Sequence, residues 1–260
     1  MTIAVDVGNT TTALAALDGA RVKHSWRIMT QERTGDEYAV LFSSMFERSG
    51  AGRAAWGAAG ICSVVPSEVR PIAEALVSVT GLRAEILDGT RDWGVVVETD
   101  NPAEVGADRI ANAVGAYYEH GGPAIVVDIG TATTFDVVSA NGHYRGGVIA
   151  PGMLAAARDL WTRARMLPQV EIRKPARTIG RTTVQCMESG IFFGTVGQIE
   201  GVVRRMWQEM GGECLVLMTG GYAALVAEHL SFKTVLDVGL TLKGIAYAID
   251  PALRQRPKAV

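Results

Sequence analysis

Cysteine is scarce in this 260-residue chain: Cys62, Cys186 and Cys214 are the three it has. An odd and small number cannot build a disulfide framework, and their spacing matches no zinc pattern. Long hydrophobic runs are missing as well. Gly, Thr or a charged residue breaks every apolar stretch well short of the ~20 residues that span a bilayer. Neither sign of charge dominates. There are 25 Lys and Arg against 27 Asp and Glu, a formal net charge of −2, which argues against a general binder of nucleic acid or acidic membranes. No basic run, heptad array or low-complexity tract occurs, and the first residues lack the charged and apolar regions of a signal peptide. The four histidines, His24, His120, His143 and His229, are scattered and suggest no metal site. These absences predict a cytoplasmic protein with reduced thiols and no nucleic-acid or membrane partner.

What is present is the composition of a globular chain, 48% hydrophobic and 20% charged, long enough for one large domain or two small ones. Strand-like and helix-like stretches alternate, which predicts the α/β class. TIAVDV (2–7) and TALAAL (12–17) flank GNTT as a hairpin, and RVKHSWRIMT continues it. Helical spacing covers 34–49. AAWGAAGICSVV reads as a buried strand ending at Pro66, SEVRPIAEALVSVTG as a helix stopped by Gly81, and AEIL as a short strand. Asn101-Pro102-Ala103-Glu104 carries a helix-start signature, so one helix is expected to run on through DRIANAVGAYYEH to Gly121-Gly122. GGVIAPG (146–152) follows, then a helical stretch near 153–165, a polar segment to Thr183 and the helical run VQCMESGIFFGTVGQIEGVVRRMWQEM. The strand CLVLMTGG (214–221) and the helix GLTLKGIAYAI (239–249) complete the chain.

At residue 124 the opening pattern returns. AIVVDIGTATTFDVVS repeats TIAVDVGNTTTALAAL, so that Asp6 matches Asp128, Gly8 matches Gly130, and Thr11 and Thr12 match Thr133 and Thr134, each 122 residues on. Such a duplication predicts two similar lobes, 1–120 and 121–260, with their turns facing one another. A single Asp-x-Gly turn reads as an ordinary hairpin. Two copies on matching strands point to phosphate handling. Glycine lets the backbone approach a ligand, and its N–H groups grip phosphate oxygens together with neighbouring hydroxyls. The acid would repel phosphate, but it can hold a cation, or a water on a cation, that the phosphate also binds. Neither copy fits GxxxxGK[ST] or GxGxxG before a helix.

Paired Asp-x-Gly hairpins resemble the actin, Hsp70 and sugar-kinase superfamily, and Met218-Thr219-Gly220-Gly221 resembles its adenosine-binding turn. That resemblance implies two duplicated lobes of the actin-like ATPase (ribonuclease H-like) fold with a nucleotide cleft between them. Four ordered segments, DVGNT (6–10), NPAEVGADR (101–109), DIGTATT (128–134) and GGVIAPG (146–152), resemble type III pantothenate kinases. ARMLP (164–168) and IGRTTVQCMESG (179–190) extend the likeness over the whole chain.

The resemblance implies ATP-dependent phosphorylation of pantothenate to 4′-phosphopantothenate, the first step of coenzyme A synthesis. Asp108 and Arg109 alone read equally as a surface pair at a helix start; the likeness makes Asp108 the catalytic base and Arg109 a contact to pantothenate. It places Gly106, Ala107 and Thr183 in the pantothenate pocket. It assigns Asp6, Val7, Gly8, Asn9, Thr10, Thr11, Thr12, Ala13 and Thr131 to ATP. Asp128 is assigned a monovalent cation, potassium or ammonium, and Asp6 orients magnesium, through water or directly. Gly146, Gly147 and Gly152 fit both close backbone approach and a tight turn before a helix. Members of the family often carry tyrosine two residues before the Asn-Pro; here Thr99 stands there, thinning that wall. The family also implies a homodimer, for which GIFFGTVGQIEGVV could supply the contact or simply be a buried helix. A regulatory protein of the same fold and a kinase for another small hydroxylated acceptor are the competing readings.

Overall fold

In the computed structural model, residues 1–51, 55–89, 91–164 and 166–255 are described. Ala54, which heads AAWGAAGICSVV, and Arg165 of ARMLP lie outside them. Strand β1 (Thr2–Val7) pairs antiparallel with β2 (Thr11–Asp18), and β3 (Arg21–Met29) extends that hairpin. On its other side β1 lies parallel to β4 (Ala58–Ser63), which pairs with β5 (Glu85–Leu87), giving the order β3-β2-β1-β4-β5. Parallel neighbours cannot be joined by a tight turn. Helix α1 (Gly35–Ser49) therefore connects β3 to β4, and α2 (Pro66–Thr80) connects β4 to β5. Thr34 and Glu37 cap α1 reciprocally, a device that stabilises a helix by about 1 kcal/mol. Tyr38, Phe42 and Phe46 recur along one face of α1 and bury against Ile3, Val5 and Val7 of β1.

The expected helix from 101 to 120 is broken. A 3-10 turn covers Pro102–Glu104, Asn101 makes no side-chain cap, and α3 (Ala107–His120) starts afresh after Gly106. Val105 is extended, with ψ 126, and this interrupts the helix. The restart puts Asp108 in a first turn.

The plan then recurs. Strands β6 (Ala124–Ile129), β7 (Ala132–Val138), β8 (Tyr144–Pro151), β9 (Leu215–Thr219) and β10 (Val235–Leu236) form a sheet ordered β10-β9-β6-β7-β8. This is the order of the first sheet with β6 in the place of β1. Helices α4 (Met153–Arg163), α5 (Thr183–Met210) and α6 (Ala223–Ala227) accompany it. The core here comprises Ile125, Val127, Ile129 and Phe135 against Phe192, Ile199 and Val203 of α5. The apolar residues of GIFFGTVGQIEGVV thus go largely into their own core. Glycine is a poor strand former, and Gly146 and Gly147 hide β8 from a reading of the sequence.

The duplication is one residue out of step. Val7 pairs with Thr12, whereas Ile129 pairs with Thr133. The second turn is therefore shorter by one, and the counterpart of Thr12 is Thr133 rather than Thr134. Both threonines are fully buried, as that pairing requires.

Two compact units result, and they are not the two halves of the sequence. One comprises Met1–Gly121, Ser139–Arg145 and the residues from Gly239 on; the other comprises Gly122–Val138 and Gly146–Val238. The last helix, α7 (Leu240–Ile249), belongs with the first unit and packs on α3, β1 and β4. It is apolar on nearly every side, as a helix enclosed by other elements must be. Close approach of α3 and α7 depends on glycine. A Cβ on Gly115 would stand 2.5 Å from the Leu240 carbonyl, and one on Gly244 would strike the backbone of Ala111.

Candidate active site

The first turn, Gly8-Asn9-Thr10, closes with Gly8 N donating to Thr11 O at 3.1 Å. Asn9, Thr10 and Thr11 are exposed at its tip. Val7 and Thr12 are not: both side chains are fully buried, and the Val7 carbonyl accepts from Val64 N at 3.0 Å. Of the residues assigned to ATP by resemblance, these two are enclosed within the sheet. Thr30, which no sequence signal singled out, holds the turn from behind. Its Oγ1 donates to Gly8 O at 2.7 Å and lies 2.9 Å from Thr12 Oγ1, and its N–H donates to Thr10 O at 3.0 Å.

Asp6 lies opposite Ala13 on β2 and beside Cys62 on β4. Burial pushes the Cys62 thiol well above its ordinary pKa, and the negative charges of Asp6 and Asp108 push it further. Both carboxylates therefore lie within electrostatic reach of the same buried sulfur at the end of the first sheet. The Asp108 carboxyl is itself raised above the ordinary aspartate value of 3.8, chiefly by burial. The Arg109 N–H, which donates to Asp108 Oδ1 at 2.9 Å, and the Arg109 charge pull it back. A carboxylate raised in this way is a stronger base than an ordinary aspartate. Gly106 leaves it room, because a Cβ there would stand 2.6 Å from Asp108 Oδ1. Ala107 is buried in the core, so it lines a site mainly through backbone. The Arg109 guanidinium lies over the Tyr144 ring, 5.8 Å from its centroid. Thr99 Oγ1 is buried with no hydrogen-bond partner among the described residues.

In the second unit three separate segments meet. Asp128 on β6 faces Thr134 on β7 and Thr219 on β9. Thr134 Oγ1 donates to the buried Asp136 carboxylate at 3.3 Å, a second acid on this strand pair that sequence reasoning passed over. Gly220, at φ +92, turns the chain after β9 directly against Asp128. A Cβ there would strike the Asp128 carboxylate and come 2.6 Å from Ile129 N. Gly152 closes on the turn from the other side, with its N–H donating to Thr131 O at 3.2 Å. Its missing Cβ would strike the Gly130 carbonyl and stand 2.5 Å from that of Thr131. The DIGTATT turn, the TGG turn and the end of GGVIAPG are thus one structure. Thr131 is exposed at its rim. Thr183 stands apart from this cluster as the exposed first residue of α5, behind the Thr182 cap.

A sequence-family model described as type III pantothenate kinase matches residues 2–205. The type III pantothenate kinase of Paramagnetospirillum magneticum is 44% identical over 247 residues, 94% of this chain and 95% of that one. That of Acidiphilium cryptum is 41% identical over 261 residues, 99% and 98% of the two chains. Among solved structures, the ROK hexokinase of Thermus thermophilus gives a TM-score of 0.51 at 14% identity, covering 95% of this chain and 97% of that one. The activator of 2-hydroxyisocaproyl-CoA dehydratase from Clostridium difficile, with bound ADPNP, gives 0.52 at 13% identity, covering 95% and 92%. These two likenesses establish the fold, the two-lobed α/β architecture of actin-like ATPases and sugar kinases.

Proposed function

Since the chain belongs to the type III pantothenate kinase family, a family of phosphotransferases, we propose how its own residues divide the work of phosphorylating pantothenate in coenzyme A biosynthesis. The carrying observation is the arrangement in the first turn of α3, where Asp108 Oδ1 accepts from the Arg109 N–H at 2.9 Å and the Arg109 guanidinium is set over the Tyr144 ring. Asp108 is the base. It takes the proton of the primary hydroxyl as that oxygen bonds to the γ-phosphorus of ATP and the bond from phosphorus to the β-γ bridging oxygen breaks, releasing ADP. Positioning and charge neutralisation contribute more to such a transfer than the base does. Arg109 holds the pantothenate carboxylate, a task for which a planar guanidinium is suited. Thr99, Gly106, Ala107 and Thr183 serve the acceptor, and the room that Gly106 leaves beside Asp108 Oδ1 supports this for Gly106.

The tip of the first turn, Gly8, Asn9, Thr10 and Thr11, grips ATP phosphates with N–H groups and hydroxyls, while Val7, Thr12 and Ala13 hold that tip from the strands behind it. Thr131 serves ATP from the second turn. Asp6 would orient magnesium, which lowers the charge on the phosphates when bound. Asp128 would hold potassium or ammonium; the gathering of Thr134, Thr219 and the Gly220 turn around that carboxylate supports this. We place the enzyme in the cytoplasm as a homodimer. Exposed apolar residues such as Ile149, Met166 and Ile179, at 64%, 94% and 82% exposure, support a second copy as partner.

The test is a phosphorylation assay of purified protein with ATP and a panel of acceptors, with and without potassium, at fixed magnesium and ionic strength. Turnover of pantothenate in preference to sugars and other short hydroxy acids, stimulated by potassium, is expected. Preference for another acceptor overturns the substrate, and indifference to potassium overturns the role of Asp128.

A further inference from the structure

The tip that joins β7 to β8, Ser139–Arg145, belongs to the first unit although its strands belong to the second sheet. Backbone pairing fixes it there. Tyr144 N donates to Val96 O at 2.8 Å and Glu98 N donates to Tyr144 O at 2.8 Å, forming a parallel bridge between Val97 and Tyr144. Charge fixes it a second time, because the Glu98 carboxylate meets His143 Nδ1 at 2.7 Å and Arg145 Nη1 at 2.8 Å. Packing fixes it a third time. Gly142, at φ +79, lies so close to the Tyr117 ring of α3 that a Cβ would stand 2.7 Å from it.

So many constraints on seven residues need a consequence, and the buried side chain of the tip provides one. Tyr144 is 1% exposed and presents its ring face to the Arg109 guanidinium, 5.8 Å away. An arginine side chain unconstrained at the edge of a pocket has many rotamers, and a carboxylate must select one of them on binding. A fixed aromatic face reduces that choice before the ligand arrives, and it attracts the cation without competing for its N–H donors.

We propose that Tyr144 is a positioning residue for Arg109, so that the 139–145 tip sets the preference of the enzyme for acceptors bearing a carboxylate. The inference rests on the role of Arg109 proposed above. The same segment, Val96 to Glu98, runs directly into Thr99. One tip therefore supports both the guanidinium and the neighbouring pocket wall.

The experiment compares two acceptors in steady-state kinetics: pantothenate, and panthenol, which replaces the carboxylate by a neutral alcohol. Tyr144→Leu should raise the pantothenate KM roughly fivefold to tenfold, between what an exposed and a fully desolvated cation–π contact contribute. The KM values for panthenol and ATP should stay within about twofold, and Tyr144→Phe, which keeps the ring, should restore pantothenate binding. Tyr144→Met keeps most of the volume with an adaptable side chain and should reproduce the Leu result if that variant folds poorly. In an Arg109→Ala background, which removes the cation, Tyr144→Leu should add nothing, since the ring acts through the guanidinium. A rise for both acceptors alike, or a further rise in the double variant, makes Tyr144 a packing residue and overturns the proposal. Failure of the underlying reading is separate: it shows in Arg109→Lys alone, as an unchanged pantothenate KM.

Discussion

The hydroxyl of Thr30 donates to the carbonyl of Gly8 at 2.7 Å, across 22 residues of sequence. With its proton so used, that hydroxyl accepts from Thr12 Oγ1 at 2.9 Å, and the Thr30 N–H closes on Thr10 O at 3.0 Å. Gly152 occupies the matching place in the second unit, where its N–H reaches Thr131 O at 3.2 Å. Glycine has no hydroxyl to offer, and the buried Thr133 Oγ1 has no hydrogen-bond partner among the described residues. The first turn is held by a side chain as well as by backbone, whereas Gly152 holds the second by backbone alone.

Replacing Thr30 by Val should therefore loosen the first turn alone. The change keeps the shape but leaves the buried Thr12 hydroxyl and the Gly8 carbonyl without their partner, a loss on the order of 1–3 kcal/mol. The melting temperature should fall by several degrees, and the KM for ATP should rise more than that for pantothenate. Thr30→Ser should recover most of both. Equal changes in the two KM values would reduce Thr30 to a purely structural residue.

Asp108→Asn should lower turnover by about 10²-fold or more and yet raise the melting temperature at neutral pH. The sign follows from the direction of the shift. The folded-state pKa lies above the ordinary 3.8, so the folded protein binds this proton more tightly than the unfolded chain does. The contribution of the group to stability therefore declines as pH rises from 3.8 through the folded value, and above that value the buried charge disfavours the fold in full. Asn carries no such charge. Wild-type turnover should fall as pH drops through the same raised pKa, because protonated Asp108 cannot accept the hydroxyl proton. Thermal melts and rate profiles between pH 4 and 8 (roughly the window for a raised carboxyl) test both halves. A variant that turns over normally would remove Asp108 from catalysis.

Gly220→Ala and Gly221→Ala form a matched pair. Ala at Gly220 must adopt φ +92 and drive its Cβ into the Asp128 carboxylate, whereas a Cβ on Gly221 meets nothing within 4 Å. The first should cost about 1–2 kcal/mol in backbone strain alone and blunt activation by potassium in a titration at constant ionic strength. The second should leave both the melting temperature and the potassium response near wild type. Potassium activation that survives Gly220→Ala would place the cation elsewhere.

Local chemistry determined much of this protein from the sequence alone. Alternating apolar residues, the helical spacing of 34–49 and the Gly81 stop marked the strands and helices of the first sheet, because helix stops and side-chain periodicity are settled within a few residues. The repeated Asp-x-Gly turns announced two related sheets, since each needs the same acid and glycine at the same strand end. The GADR segment marked Asp108 and Arg109 through family resemblance. Three things only the tertiary structure decided. A run of threonines has no polar–apolar contrast, so only the β6–β7 ladder shows that Thr133, not Thr134, is the buried counterpart of Thr12. A helix apolar on nearly every side does not say what encloses it, and only packing against α3 assigns α7 to the first unit. Thr30, Cys62 and Tyr144 carry no motif, and what they do depends on which distant residue each one meets. Those meetings follow from strand order and helix packing, which arise from contacts between residues far apart in the chain.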